Sequence, residues 1–486
     1  MLEQLKNLDS YKVFQFFKEM NEIPRGSGNE KGVSDWLVSF AKERNLEVIQ
    51  DEALNVIIKK PGTKGYENSP VVVLQGHMDM VCEKNVGTQH DFEKDPIKFI
   101  IEGDTLRADG TTLGADNGIA VAYGLALLDS NDIEHPPVEV LITTEEETGM
   151  GGALALDPNN IKGKMLINID SEEEGTLLVS CAGGVRQIVE LPIVIEEVPA
   201  EYKGIKVMIR GLKGGHSGMD IIKERGNSNK LMGRFLNDLM DEDTNFQIAS
   251  VNGGSKMNAI PRECDVVLAV KECCVSKVKE LVNKWDDIFK KELSVQDPDV
   301  NLTCEENVAL ENAFSEYSTE AVINMLLLMP NGVNTMSQNI NGLVESSTNL
   351  GVMVTEGEKV TFESAIRSSV STLKYSIAKI GDAAARALGA EISYQSDYPA
   401  WQYKEDSKLR DTMSDVYEKI TGEKPEISAL HAGLECGLFG GKFGESMDMV
   451  SFGPNLHDVH TPKESAEVSS IDRCWKYLKE VLKALK

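Results

Sequence analysis

The chain has 486 residues, with 78 Asp and Glu against 50 Lys and Arg, a formal charge of −28 at pH 7. At about 100–200 residues per domain, this length implies two or three domains, and a hydrophobic share of 41% excludes wholesale disorder. So acidic a balance argues against a phosphate-neutralising nucleic-acid binder and against docking on anionic lipid.

The N-terminus, MLEQLKNLDSYKVFQFFKEM, shows no basic stretch followed by an apolar one, so no secretory leader is read there. The longest apolar runs, 118–128 and 322–329, fall short of the roughly 20 residues of a membrane span. Eight cysteines without a CxxC pair suit reduced thiols, and a cytoplasmic setting is expected. Residues 70–81 (PVVVLQGHMDMV) read as a strand buried on both faces, 118–128 as an Ala-rich helix and 138–143 (VEVLIT) as a second buried strand. A helix is predicted over 149–156 and a third strand over 164–170 (KMLINID). This rhythm implies an α/β domain with a doubly wound, mainly parallel sheet.

The middle of the chain differs. Strands are predicted over 185–196, 204–212 and 264–270, a hairpin around Glu356-Gly357, and helices over 227–240, 275–293 and 371–388. This is the pattern of an α+β module. The first style returns with helices over 409–421 and 464–486 and a short buried strand over 449–452. The expected organisation is therefore a first domain split into residues 1–183 and 395–486, around an inserted α+β domain over 184–394.

Chemistry-bearing residues gather where the first-domain strands end. The clusters are Gly76-His77-Met78-Asp79, Leu113-Gly114-Ala115-Asp116-Asn117-Gly118, Glu145-Glu146-Glu147 and Asn168-Ile169-Asp170. Their spacing is 39, 31 and 23 residues (77 to 116, 116 to 147, 147 to 170), about one strand–helix unit each. In a doubly wound sheet the strand C-terminal ends collect at one edge, where ligands bind. Imidazole and carboxylate are Zn²⁺ ligands, and one carboxylate can bridge two ions about 3.5–4 Å apart. In His-x-Asp, the acid accepts the second N–H of a ligating imidazole. Neighbouring Glu146 and Glu147 offer a ligand beside a free general base.

Taken singly, His77 is most simply a satisfied core histidine, and Glu145–Glu147 a solvated charge run. Four such clusters at successive strand ends favour a metal site. The same bland reading is kept for Glu172–Glu174, which follow the third strand, and for Cys436, read as buried. The Met325–Met329 stretch reads as core rather than a copper site.

The phrases GHMDMV, LGADNG, EEETGMGGA and NIDSEEEG resemble the di-zinc aminoacylase/carboxypeptidase superfamily of metallopeptidases. GGHSGMDI, MNAIPRE, IRSS, HAGLECGLF and GPNLHDVHTPKE point to its Xaa-His dipeptidase (aminoacyl-histidine dipeptidase, carnosinase-like) branch, so the resemblance runs from Gly76 to Glu464. It implies two Zn²⁺ per subunit, with Co²⁺ or Mn²⁺ able to substitute. It implies that His77 and Asp170 hold one ion, Glu147 and His460 the other, and that Asp116 bridges them. His460 is preferred to His457 because HTPKE resembles the family's His-Ser/Thr-Pro phrase. Asp79 would orient His77, and Glu146 would take a proton from the attacking water. A cis peptide is implied at Asp116–Asn117.

The resemblance makes residues 1–183 and 395–486 the catalytic domain and 184–394 a lid and dimerisation domain, which would supply His216, stabilising the oxyanion, with Asn258 and Arg367 binding the substrate backbone and C-terminal carboxylate. Arg suits that carboxylate through its bidentate fork. His431 and Glu435, from HAGLECG, are further candidate substrate contacts, with Glu435 suited by charge to a free amino group. The expected activity is hydrolysis of small peptides, preferentially Xaa-His dipeptides, by a homodimer. The alternatives are a tripeptidase or N-acyl amino acid deacylase of the same superfamily, or a non-catalytic binding protein.

Overall fold

The structure, a computed structural model, describes residues 2–242 and 244–486. It divides into two compact units: unit 1 comprises Met1–Ser180, Trp401–Ala429 and Leu434–Lys486, and unit 2 comprises Cys181–Ala400 and Leu430–Gly433.

Unit 1 is built on eight strands: β1 (Glu47–Gln50), β2 (Val56–Lys60), β3 (Val72–His77), β4 (Val138–Thr143), β5 (Met165–Asn168), β6 (Thr176–Cys181), β7 (Glu426–Leu430) and β8 (Asp448–Ser451). Their order in the sheet is β1-β2-β4-β3-β5-β8-β6-β7. The central four, β4, β3, β5 and β8, run parallel, and the antiparallel pairs lie outside them. Every residue of those central strands is buried, as expected of a parallel sheet covered on both faces.

Four helices of this unit matter for the site: α1 (Ala115–Asp129), α2 (Glu146–Gly149), α3 (Glu435–Phe443) and α4 (Val468–Ala484). Helix α1 is apolar on all sides and buried from Asn117 to Leu128, as an interior helix must be. It starts close against β3: a Cβ on Gly76 would lie 2.4 Å from Asn117 Oδ1 and 2.6 Å from Ala120 Cβ, so glycine is required there. Helix α4 is amphipathic and buries Ile471, Cys474, Trp475, Leu478, Val481 and Leu482. It meets α1 through a Tyr123–Trp475 stack (centroids 5.7 Å apart) and the bond from the Tyr123 hydroxyl to the Ile471 carbonyl. Asp472 accepts bonds from the Ser10 N–H (2.9 Å) and hydroxyl (2.8 Å), tying the two ends of the chain together.

Unit 2 has a nine-stranded antiparallel sheet whose longest hairpin pairs Val344–Glu356 with Lys359–Ser368, turning at Glu356-Gly357 as the sequence predicts. Helices Ser228–Asp241, Val275–Glu292, Glu316–Leu328 and Ser371–Leu388 bury apolar residues in one core with this sheet. Met325 and Met329 belong to that core.

Four differences from the sequence reading have physical causes. The strand read over 70–81 ends at His77, because the Met78 and Asp79 carbonyls are taken by the Arg25 guanidinium rather than by a neighbouring strand. The helix read over 149–156 is two short helices, Glu146–Gly149 and Gly151–Ala155, broken at Met150 with φ +60°. Helix α4 begins at Val468 rather than residue 464, since Glu464 is occupied elsewhere. Residues 430–433, read with the catalytic domain, join unit 2: Leu430 O accepts the Ala182 N–H, and the His431 ring meets Ser347. Among the described residues no helix is long and apolar enough to cross a membrane.

Candidate metal centre

Strands β3, β4 and β5 are parallel neighbours, so the residues that follow them share one edge of the sheet. His77 closes β3, Glu146 and Glu147 open α2 after β4, and Asp170 follows β5. Asp116 comes from the first turn of α1, and its peptide to Asn117 is cis, as the resemblance implies. His460 arrives from the loop before α4, with φ +61°.

These side chains converge. His77 Nε2 lies 3.2 Å from Asp116 Oδ1 and 3.5 Å from Asp170 Oδ1. His460 Nε2 lies 3.0 Å from Asp116 Oδ2 and 3.0 Å from Glu147 Oε2. Asp116 thus turns one oxygen to each histidine. Ligand atoms within 4.8 Å of one another form the triples His77–Asp116–Asp170 and Asp116–Glu147–His460, with Asp116 common to both. A third triple joins His77 to Glu146 and Glu147. His457 stands apart and pairs with Glu467 at 2.9 Å.

The donor set fits divalent cations. Imidazole nitrogen and carboxylate oxygen are what Zn²⁺ and its neighbours in the first transition row accept. Glu147 Oε1 is buried without any hydrogen-bond partner, an acceptor aimed at nothing the protein supplies. Electrostatics agrees. Asp116 is held below the usual carboxylate range: burial opposes this, but hydrogen bonds from His460 and His77 outweigh it. Asp170 is pushed up to about 6 by burial. His460 is raised to about 11 by its bonds to Asp116 and Glu147, and His77 is raised well above the usual range by surrounding acids despite its burial. The acids therefore demand positive charge, which cations would provide in place of ring protons.

Asp79 is fully buried and does two things at once. Its Oδ1 lies 3.2 Å from His77 Nδ1 and accepts the Glu146 N–H, while its Oδ2 accepts the Ser27 hydroxyl at 2.7 Å and the Glu147 N–H at 3.3 Å. One carboxylate thus orients the ring and the turn carrying both glutamates. The Glu146 carboxyl is raised well above its ordinary range by burial, with Asp170, Glu435 and Glu147 adding to the shift.

Glu435 lies close enough to Glu146 to raise its carboxyl. It is fully buried at the start of α3, where it accepts bonds from Gln75 Nε2 (2.5 Å) and the Thr143 hydroxyl (2.9 Å). Its Oε1 is buried without a hydrogen-bond partner, and burial lifts the carboxyl to about 7. Glu172 is exposed, as its reading as a solvated acid expects, and its carboxyl is lifted to about 7 by partial desolvation and then by Asp116 and Asp170.

Within unit 2, three of the expected residues meet around Gly218. A Cβ there would lie 2.3 Å from His431 O, 3.1 Å from His216 Cε1 and 3.2 Å from Arg367 Cδ. His216 Nδ1 accepts the N–H groups of Gly218 (3.3 Å) and Met219 (3.1 Å), so in the neutral ring the proton sits on Nε2. Burial, then Arg367, lowers the His216 pKa and keeps the ring neutral. Arg367 Nη1 donates to the Tyr398 hydroxyl, and its buried Nε has no partner. His431 Nε2 lies 2.7 Å from Ser347 Oγ, its Nδ1 is buried without a partner, and burial lowers the ring to about 3. Asn258 is exposed beside this group, its carbonyl accepting the Ser217 N–H.

Two buried residues that touch the metal-site segments are given no role by the sequence reading. Glu464 is 2% exposed and accepts the backbone N–H groups of Leu113, Gly114, Ala115 and Asp116. Arg25, also 2% exposed, donates to the carbonyls of Met78, Asp79 and Gly114. Glu464 stands within the HTPKE phrase, which was a usable signal; Arg25 stands in none.

A profile of the peptidase family M20/M25/M40 matches residues 73–484. The cytosol non-specific dipeptidase of Escherichia coli (strain K12) is 38% identical over 484 residues, covering 100% of this chain and 99% of that protein. The crystal structure of aminoacylhistidine dipeptidase from Vibrio alginolyticus matches with a TM-score of 0.94 at 40% identity, covering 99% of this chain and 98% of that one. The aminopeptidase PepT of Bacillus cereus shares the fold, with a TM-score of 0.57 at 16% identity over 98% of this chain and 99% of its own.

Proposed function

The chain belongs to the peptidase family M20/M25/M40, and on that premise we propose that it is a cytoplasmic dipeptidase with a preference for Xaa-His substrates. The observation that carries this reading is Asp116 facing His77 and His460 through opposite oxygens, with Glu146 beside them. The Vibrio relative's name supports C-terminal histidine, while the Escherichia coli relative's name favours a broader range of dipeptides.

In this proposal His77, Asp170 and Asp116 hold one Zn²⁺, and Asp116, Glu147 and His460 hold a second, with Co²⁺ or Mn²⁺ able to replace them. The bound ions supply Lewis acidity and lower the pKa of a water towards about 7. Glu146 accepts the proton of the attacking water and returns it to the leaving amine. Asp79 keeps His77 and the Glu146–Glu147 turn in place. Unit 2 serves as lid and dimerisation domain. His216 offers its Nε2–H to the developing oxyanion, and Arg367 binds the terminal carboxylate, with Asn258 and His431 as further substrate contacts.

The test is a substrate panel of β-Ala-His, Gly-His, Leu-Gly, a tripeptide and N-acetyl amino acids on the zinc-loaded protein. Dipeptides should turn over fastest, with those ending in histidine leading. Fastest turnover of an N-acetyl amino acid would sink the dipeptidase reading.

A further inference from the structure

The loop that delivers His460 to Asp116 grips the same residue a second time. It is a compact turn, closed by bonds from the Thr461 hydroxyl to Asp458 O, from Lys463 N–H to the Thr461 hydroxyl and from Glu464 N–H to Thr461 O. From one end of this turn His460 meets the Asp116 carboxylate. From the other, Glu464 reaches the backbone: Oε2 accepts from Leu113 (2.7 Å) and Gly114 (3.0 Å), and Oε1 from Ala115 (2.8 Å) and Asp116 (3.3 Å).

Arg25 holds the opposite side of this segment. Its Nη2 donates to the Gly114 carbonyl at 2.6 Å, so the Gly114 residue is clamped at its N–H by Glu464 and at its C=O by Arg25. The same guanidinium donates to Met78 O (2.9 Å) and Asp79 O (3.2 Å), beside His77, and to Asn21 Oδ1 through Nε and Nη2. Gly114 is left-handed, with φ +68°, and a Cβ there would stand 2.3 Å from Arg25 Nη2, so the clamp leaves room for glycine only.

Helix capping alone does not account for this arrangement. An N-cap is ordinarily one Ser, Thr, Asn or Asp side chain bonding one or two N–H groups, where Glu464 takes four. Here a fully desolvated carboxylate is placed one peptide away from a cluster of like charges, which stability alone disfavours. What the charge achieves is position: four N–H groups and three carbonyls from Met78, Asp79 and residues 113–116 are held at once.

We propose that Arg25 and Glu464 form a positioning brace that presets Asp116 between His77 and His460, so that the chain binds metal at a preformed site. This rests on the two-metal reading given above. Neither residue touches metal or substrate; both act through the backbone beside the ligands.

The test titrates Zn²⁺ alone, against a competing fluorescent chelator, into the metal-stripped full-length protein. Wild type is compared with Glu464→Gln, Arg25→Lys and a control brace that ties Ser10 rather than the ligand segments, Asp472→Asn, each first checked for native circular dichroism. Glu464→Gln keeps size but loses charge and one acceptor oxygen; Arg25→Lys keeps charge but loses the fork. Zinc binding should weaken by about 10–100-fold in both, the size usual for residues that orient ligands. At saturating zinc kcat should fall while KM stays within about twofold, and Asp472→Asn should bind zinc as wild type does. Unchanged zinc affinity in folded Glu464→Gln overturns the brace, as does an equal loss in Asp472→Asn.

Wild type gives a readout that needs no variant. Amides 113–116 should be protected from hydrogen exchange with and without zinc. Protection that appears only on zinc loading overturns the brace, since the metal would then order the segment. A wild type that binds no zinc overturns the two-metal reading, and the brace with it, and is distinguished from the other failures by the first titration alone.

Discussion

Asp116 and His460, 344 positions apart in the chain, meet at 3.0 Å between Oδ2 and Nε2. His77 meets the other oxygen of the same carboxylate at 3.2 Å. A site made of two triples around one shared acid can lose half its metal without losing the rest. His460→Ala should lower zinc content from about two ions per chain towards one, read by elemental mass spectrometry after dialysis. His457→Ala should leave two, because His457 pairs with Glu467 instead. Equal losses from both variants would refute the ligand assignment.

Glu146 differs from Glu147 in belonging to neither triple that contains Asp116. Glu146→Gln should therefore retain near-normal zinc and lower kcat by about 10²–10⁴-fold, the usual contribution of a positioned acid–base group. Turnover within a few-fold of wild type would remove Glu146 from the mechanism.

Arg367 has a buried Nε without a partner and an Nη1 oriented by Tyr398. A carboxylate would complete that fork. Wild type should hydrolyse Gly-His much better than its C-terminal amide, and Arg367→Lys should raise KM for the acid about tenfold or more while narrowing the gap between the two. If wild type cleaves the amide equally well, the carboxylate role is wrong.

Asp472 carries a pH signature. Its pKa is lowered in the fold: burial opposes this, but Lys476 and the two bonds from Ser10 prevail. A lowered carboxylate pKa means the unfolded chain binds the proton more tightly. The stabilisation is complete above the unfolded pKa of about 3.9 and fades as pH falls through the lower folded value. Asp472→Asn should cost about 1.5–3 kcal/mol at pH 7, as expected for bonds to a charged group, and differ less from wild type below pH 4. Urea unfolding at both pH values checks this; a difference that grows on acidification would contradict it.

The readable parts of the chain were those where function coincides with sheet geometry. A parallel strand buried on both faces is a run of apolar residues, and its C-terminal end is a sharp change of composition, so His77, Glu146, Glu147 and Asp170 stood out. His460 lies beyond any such strand and was legible only through the HTPKE phrase. Arg25 was illegible because it acts on peptide carbonyls, which every residue possesses and no composition reveals. The burial of Glu435 is equally illegible: a charged residue beside small ones suggests a surface, whereas Gln75 and Thr143 bond its Oε2 inside. The 430–433 segment was misplaced because it pairs with Ala182, a partner invisible at that distance in sequence.

Strand β8, residues Asp448–Ser451, lies between β5 and β6, which precede it by more than 250 residues. During synthesis the sheet of unit 2 has all its strands, the last ending at Tyr398, while the sheet of unit 1 still lacks an interior member. The nascent chain must therefore carry two unpaired strand edges, β5 and β6, until nearly its last residues leave the ribosome. Such edges invite wrong pairing with neighbouring chains. A formal charge of −28 makes copies of this chain repel one another, which opposes such pairing while the sheet is unfinished.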